Sequence, residues 1–230
     1  MTESVAATVR QQVLASTDRF WAVEDFGDDG HPVVSELGRL VTKGELERVR
    51  RGLYWRGRKT RFGMAQADAV KLVREVVGPR EAVGAAGWYA TNLLGLSTQV
   101  APKAVVAVSR RPPRVDRVRL VDRSNRTGRR DQQLNELEVT ILEVLEGWDK
   151  YVEVPHDVAL ERLSELMDRS DIRIDRLVNA SETESARVRE RLRAILLSKG
   201  LTAEASCVPR ARSESAKVFA LEVVPSRATS

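Results

Sequence analysis

An amphipathic helix pattern that runs directly into a hairpin pattern, over residues 31–61, most constrains the fold of this chain. Pro32 suits a first helical turn, apolar residues recur at helical spacing from Val34 to Val41, and Gly44 ends the run. Two short apolar segments then flank Arg50-Arg51-Gly52. This pattern predicts two short strands joined by a tight turn, with glycine at the position that requires an unusual backbone conformation.

The residues before this segment complete a small domain. Ser4 as N-cap and valines at helical spacing predict a helix from Thr2 to about Ala15. Residues 20–26 fit either a further short helix or a short strand and turn. With that segment taken as a helix, the order of three helices and a two-stranded wing predicts a winged helix-turn-helix over residues 1–61.

Positive charge is dense in the hairpin region. Eight Lys or Arg and two acids lie between Lys43 and Arg61. Neutralised phosphates release counterions, so such density favours binding to double-stranded DNA, although a solvated charged face would also be basic. Tyr54 and Trp55 are expected to pack beneath the hairpin. The predicted DNA-binding residues are Ser35, Arg39, Lys43, Arg48, Arg50, Arg51, Arg56, Arg58, Lys59 and Arg61.

Residues 62–230 are predicted to form a larger mixed α/β domain, mostly helical towards its end, which makes the whole chain α+β. The predicted strands lie at about residues 104–121, with a last strand at Val218–Val224. Ser181 and Glu184 are interpreted as a capping box for the last predicted helix. The predicted helices cover about residues 63–77, 84–94, 133–146, 156–167 and 183–198.

A second basic stretch, residues 110–130, holds nine arginines and two acids. It fits either a pair of solvated loops or a second patch that contacts phosphates. The candidate residues of that patch are Arg110, Arg111, Arg114, Arg126, Arg129 and Arg130.

Two sequence motifs, which follow each other in the same order as in the family, resemble the AbiEi-like antitoxins of AbiE-type toxin–antitoxin systems. The first reads VVSELGRLVTKGELERVRRGLYW and the second reads GWYATNLLGLSTQVAPKAVVAVS, with Thr91 and an additional Ala101 as departures from the family pattern. The resemblance covers about residues 20–125. Residues 92–102 fit a packed helix end and turn, or a polar contact to DNA or toxin.

The resemblance implies an antitoxin that represses its own operon by binding inverted repeats in promoter DNA. It also implies that the C-terminal domain counteracts a nucleotidyltransferase-like toxin, with or without direct contact. The distribution of charge suits two partners: residues 1–130 hold 24 Lys or Arg and 14 acids, and residues 131–230 hold 14 and 19. The acidic half is able to complement a basic toxin.

The chain is predicted not to be an enzyme. His31 and His156 are far apart, Cys207 is the single cysteine, and the nucleotide-binding and hydrolase motifs are missing from the sequence. No cofactor, metal or membrane partner is predicted, and the expected location is the cytoplasm. Two alternatives stay open: a winged-helix regulator whose second domain senses a ligand, and a nuclease-like enzyme that uses carboxylates.

Overall fold

The computed structural model describes residues 4–27 and 30–210. Their fold is α+β, as the sequence predicts. The chain divides into two compact units, Met1–Asp68 and Ala69–Ser230. In chain order the elements are α1 Val5–Leu14, β1 Arg19–Ala22, α2 Gly30–Thr42, β2 Glu47–Arg50, β3 Leu53–Arg56, β4 Lys59–Thr60, β5 Gly63–Met64, α3 Ala69–Val77, β6 Val83–Ala85, α4 Gly87–Leu93, β7 Val105–Val108, β8 Arg119–Asp122, α5 Thr127–Asp131, α6 Glu136–Glu146, α7 Trp148–Tyr151, α8 His156–Met167, α9 Ile174–Ala180, α10 Ala186–Ser198 and α11 Thr202–Cys207.

The first unit packs two helices against a small antiparallel sheet of order β1-β3-β2. The Ser4 hydroxyl caps α1 by accepting a hydrogen bond from the Ala7 amide. Residues 19–26, where the sequence allowed a helix or a strand, form β1 followed by a 3-10 turn, Val23–Phe26. Over its described residues the unit therefore has two α-helices before the β2–β3 hairpin, where the sequence predicts three. Its core residues are Val9, Val13, Trp21, Val33, Leu37, Leu40, Leu46 and Tyr54.

A second, smaller hairpin follows the first. β4 and β5 pair antiparallel, and the Trp55 indole N–H donates to the Ala65 carbonyl at 2.8 Å. This hairpin overturns the predicted helix over residues 63–77, because Gly63 and Met64 are strand residues and α3 begins only at Ala69. It also explains why the first unit extends to Asp68, beyond the predicted boundary at residues 61 and 62.

The second unit has a three-stranded sheet of order β6-β7-β8, in which β6 is antiparallel and β8 parallel to β7. The predicted helix over residues 84–94 is wrong at its start, because Val83–Ala85 pairs with Val106–Val108 and α4 begins at Gly87. Helix α6 lies very close to β6. The Thr140 hydroxyl accepts a hydrogen bond from the Ala85 amide at 3.0 Å, and only glycine fits at position 84.

Two further predictions differ from the structure in the helical part of this unit. The predicted helix over residues 133–146 begins at Glu136, where Asn135 and Glu138 form a capping box. The predicted capping box of Ser181 and Glu184 is wrong: Ser185 caps α10, and the Glu184 carboxylate lies in an ion pair. The predicted strand Val218–Val224 lies outside the described residues. Four short helices, α5, α7, α9 and α11, were not predicted.

Candidate nucleic-acid interface

Helix α2 presents a polar face because its apolar residues pack into the first core. Val33, Leu37 and Leu40 are buried, whereas Ser35 and Arg39 are exposed one turn apart. Lys43 is also exposed, just beyond the end of the helix. The predicted residues on and just after this helix are therefore accessible together, and an α-helix is an element that the major groove admits.

A buried carboxylate anchors two arginines beside that face. Glu36 is 2% exposed, and its side chain accepts hydrogen bonds from Arg10 Nε at 2.7 Å and from Arg39 Nη1 at 3.4 Å. The hydrogen bond from Arg10 holds the pKa of Glu36 below its usual range. The sequence points to Arg39 but not to Arg10 or Glu36. Arg10 lies on α1 and Glu36 on α2, and the apolar spacing of α2 does not indicate that Glu36 is buried.

The β2–β3 hairpin carries three exposed arginines, of which Arg48 and Arg50 lie on β2 and Arg51 lies in the turn. Gly52 has φ of 79°, a conformation that glycine adopts without strain, and closes the turn. Within residues 4–27 and 30–210, no carboxylate pairs with these three guanidinium groups. Tyr54 and Trp55 are buried, as expected for side chains that support the hairpin.

The base of the hairpins is held by ion pairs, which changes the role of one predicted residue. The Arg56 guanidinium is 13% exposed and contacts the Glu45 carboxylate at 3.0 Å, so it supports the hairpin instead of facing solvent. Lys59 also pairs with Glu45 and lowers the pKa of that carboxyl, and Arg58 pairs with Asp18 at 3.1 Å. Arg61 is exposed and lies over the ring of Phe62, 4.6 Å from its centroid.

The second predicted basic patch is wrong at two of its residues. Arg129 is 1% exposed and pairs with Glu143 and Glu184, both at 2.6 Å. Arg126 is mostly buried and donates a hydrogen bond to the Thr183 carbonyl at 2.9 Å. These side chains join α5, α6 and the segment before α10, so they are part of the core.

The remaining four residues of that patch lie at the surface. Arg111 and Arg114 are exposed. Arg110 Nη1 donates a hydrogen bond to the Val77 carbonyl at 3.5 Å, and Arg130 Nε pairs with the Asp131 carboxylate at 3.6 Å. They stay candidates for a contact to phosphate.

The turn at residues 95–99, within the second motif of the antitoxin resemblance, has a structural role in the second unit. The Glu153 carboxylate accepts hydrogen bonds from the Ser97 hydroxyl at 2.7 Å and from the Thr98 amide at 3.1 Å. The bond from Ser97 lowers the pKa of Glu153. The turn is thus fixed from within the unit, which favours packing over the alternative of a contact to DNA or toxin.

Among the clefts in the described part of the second unit, two have a distinctive lining. One, of about 470 Å³, has Trp88 and Tyr151 in its wall, with ring centroids 5.2 Å apart. The other, of about 740 Å³, is lined by several arginines that include Arg80 and Arg130. Over the described residues no group of histidine, cysteine and acidic side chains has the arrangement of a metal site. No helix found there has the length and apolar character needed to cross a bilayer.

Comparison with known families gives no match to any family model. No curated protein matches the chain. Among solved structures, the chain is similar to the crystal structure of the Rv2827c protein from Mycobacterium tuberculosis, with 14% identity and a TM-score of 0.45. The similarity covers 96% of this chain and 81% of that chain. A likeness at this level carries no argument about fold or function.

Proposed function

We propose that residues 1–68 bind double-stranded DNA as a winged helix, with α2 in the major groove and the β2–β3 turn along the phosphate backbone. The observation that carries this proposal is the set of three exposed arginines on one hairpin, Arg48, Arg50 and Arg51, for which the described part of the chain shows no carboxylate partner. A solvated face that served only solubility would more often mix positive and negative side chains.

The arrangement of α2 supports the same proposal. Ser35 and Arg39 are exposed on one side of the helix, while the opposite side is fixed in the core by Val33, Leu37 and Leu40. A rigid helix with short polar and bidentate side chains on its free face is suited to contact base edges. Arg56 and Lys59 pair with Glu45, three residues after α2, and so tie the end of β3 and the start of β4 to the segment that follows that helix.

The test is a salt titration of the full-length protein on duplex DNA. Arg50→Ala/Arg51→Ala is expected to weaken binding and to reduce the slope of log K against log salt by about 2, because each lost phosphate contact removes about 0.9 from it. Arg162→Ala/Arg169→Ala removes the same charge from exposed positions of the second unit and serves as the matched control. Equal affinity and slope for both variants would refute the proposal.

We further propose that this DNA binding represses the protein's own operon and that the second unit acts as the antitoxin. The support is the resemblance of residues 20–125 to AbiEi-like antitoxins, together with the excess of acids in residues 131–230. Rescue of cells that express a nucleotidyltransferase-like protein from the neighbouring gene tests this role. Failure of rescue would end the antitoxin proposal while DNA binding stands.

A ligand-sensing regulator is the second candidate. The cleft beside Trp88 and Tyr151 favours it, because paired aromatic rings are a common wall for small organic ligands. A ligand that shifts DNA affinity of the wild type, and fails to do so in Trp88→Ala, would support this candidate.

A further inference from the structure

The hairpin formed by β4 and β5 ends in an exposed aromatic residue. Phe62 is 85% exposed, and it shares the two-residue tip with Arg61. The Arg61 guanidinium lies over its ring at 4.6 Å. An aromatic ring combined with a cation at a protruding tip can stack on bases and neutralise phosphate together.

The backbone of the tip is hydrogen-bonded to the side chain of Thr60. The Thr60 hydroxyl donates to the Gly63 carbonyl at 2.8 Å and accepts from the Phe62 amide at 3.1 Å. Gly63 has φ of 106°, which a residue with a side chain would adopt only with strain. Little ordering entropy would therefore be lost when the Phe62 ring enters a binding site.

The base of the hairpin is built into the core of the first unit. The Ala65 carbonyl accepts from the Trp55 indole, and the Ala65 amide donates to the Arg58 carbonyl at 2.8 Å. Gly57 allows this approach, since a Cβ there would lie 2.6 Å from the Trp55 indole nitrogen. The hairpin is thus a rigid projection of the folded unit.

The hairpin also lies next to the end of α2. Glu45 follows that helix by three residues, and it pairs with Lys59, the first residue of β4. The β2–β3 turn lies at the opposite end of β3, about 13 Å away for a strand of four residues. The β4–β5 hairpin therefore begins near the C-terminal end of α2, and the β2–β3 turn lies at the far end of β3 from it.

We propose that the β4–β5 hairpin is a second wing, which inserts Phe62 into the minor groove of the DNA that α2 contacts. This inference rests on the proposed DNA binding of the first unit. Duplex DNA is the occupant that the surroundings favour, because the Arg61 guanidinium lies over the ring and neither residue of the tip is acidic. Arg58 and Lys59, which pair with Asp18 and Glu45, lie at the base of the same hairpin. Apolar side chains that enter the minor groove unstack a base step and kink the duplex by 20–90°.

The test uses the full-length protein and a 30-base-pair duplex taken from the DNA upstream of its gene. Affinity, bending by energy transfer between end labels, and unstacking by 2-aminopurine fluorescence are measured for the wild type and Phe62→Ala. We expect about tenfold weaker binding, the range for loss of one base–aromatic stack, together with loss of the bend and of the fluorescence increase. The salt slope and the thermal unfolding midpoint stay unchanged, because the substitution removes no charge and no buried contact.

Two variants control the measurement. Val100→Ala, at an 80% exposed valine of the second unit, is expected to bind and bend DNA like the wild type. Phe62→Trp is expected to keep the stack and the bend.

A Phe62→Ala protein that binds and bends DNA like the wild type, while Arg50→Ala/Arg51→Ala weakens binding, would overturn the second wing and leave the first intact. The second wing would also be overturned if Phe62→Ala binds DNA like the wild type but no longer binds the protein encoded by the neighbouring gene. Absence of DNA binding in the wild type would overturn both the second wing and the proposed function.

Discussion

At the scale of single residues, Arg129 shows how much a side chain's role depends on partners that are remote in the sequence. Its guanidinium is enclosed by Glu143 and Glu184, which lie 14 and 55 positions away. Burial alone would raise the pKa of Glu143, but Arg129 and Arg123 outweigh burial and hold that pKa below its usual range. The charges are therefore retained inside the second unit.

Glu143→Gln is expected to destabilise the second unit by about 3 kcal/mol at pH 7, since it removes one carboxylate from a buried, paired arginine. The measurement is urea unfolding followed by circular dichroism. Glu161→Gln, at an exposed position of α8, is the control and should change stability by less than about 0.5 kcal/mol. Equal stability of the two variants would contradict a structural role for the network.

The pH dependence follows from the same carboxyl. Because the pKa of Glu143 in the folded protein lies below 4.5, its contribution to stability is complete above about pH 4.5 and is lost as the pH falls through the folded-state pKa. The difference in unfolding free energy between wild type and Glu143→Gln should therefore narrow on acidification below pH 4.5. A difference that stays constant down to pH 3 would contradict the lowered pKa.

The sequence allowed the exposed arginines of the β2–β3 turn to be predicted but did not distinguish Arg129 and Arg126 from surface arginines. Arg50 and Arg51 precede a glycine in a local hairpin pattern, so their position follows from neighbours within a few residues. Arg129 occupies a similar glycine-containing stretch. Its burial depends on acids from α6 and the segment before α10, and no local spacing reveals that pairing.

At the scale of elements, close approach between backbones decides where glycine is required. A Cβ on Gly84 would lie 2.7 Å from the side chain of Val139, so α6 and β6 pack as closely as they do because position 84 has no side chain. A Cβ on Gly38, in the middle of α2, would meet open space. The same change to alanine should therefore have opposite effects at the two positions.

Gly84→Ala is expected to lower the free energy of unfolding by about 1–3 kcal/mol, the usual cost of overpacking. Gly38→Ala should raise it by about 0.5–1 kcal/mol, because alanine loses less backbone entropy in a helix. Thermal and urea unfolding of both variants measure the effect. A stabilising Gly84→Ala would show that α6 can move away from β6 at little cost.

Element boundaries could be predicted where the signals are local. The helix pattern before Gly44 and the hairpin around Gly52 both appear in the structure at those positions. The small residues from Gly84 to Leu94 predict a helix that begins at Gly84, but residues 83–85 form a strand. Their strand conformation depends on pairing with β7, which is more than twenty residues away, and periodicity within a short window does not report such a partner.

At the scale of the whole molecule, the charge distribution of the sequence suits two partners. The basic half contains the exposed arginines of the first unit, and the acidic half lies entirely within the second. The prediction of a basic DNA-binding surface stays a prediction that rests on the exposed hairpin arginines, whereas Arg126 and Arg129 of the second predicted patch are withdrawn from the surface. Some of those arginines neutralise acids inside the second unit.

The central claim is that α2 and its hairpin hold promoter DNA, and footprinting of the full-length protein on DNA upstream of its own gene tests it most directly. In the presence of excess bulk competitor DNA, we expect protection of two half-sites about one helical turn apart, centre to centre. Arg50→Ala/Arg51→Ala should abolish protection at the same protein concentration. Uniform cleavage with the wild type, or equal protection of an unrelated fragment, would contradict the claim.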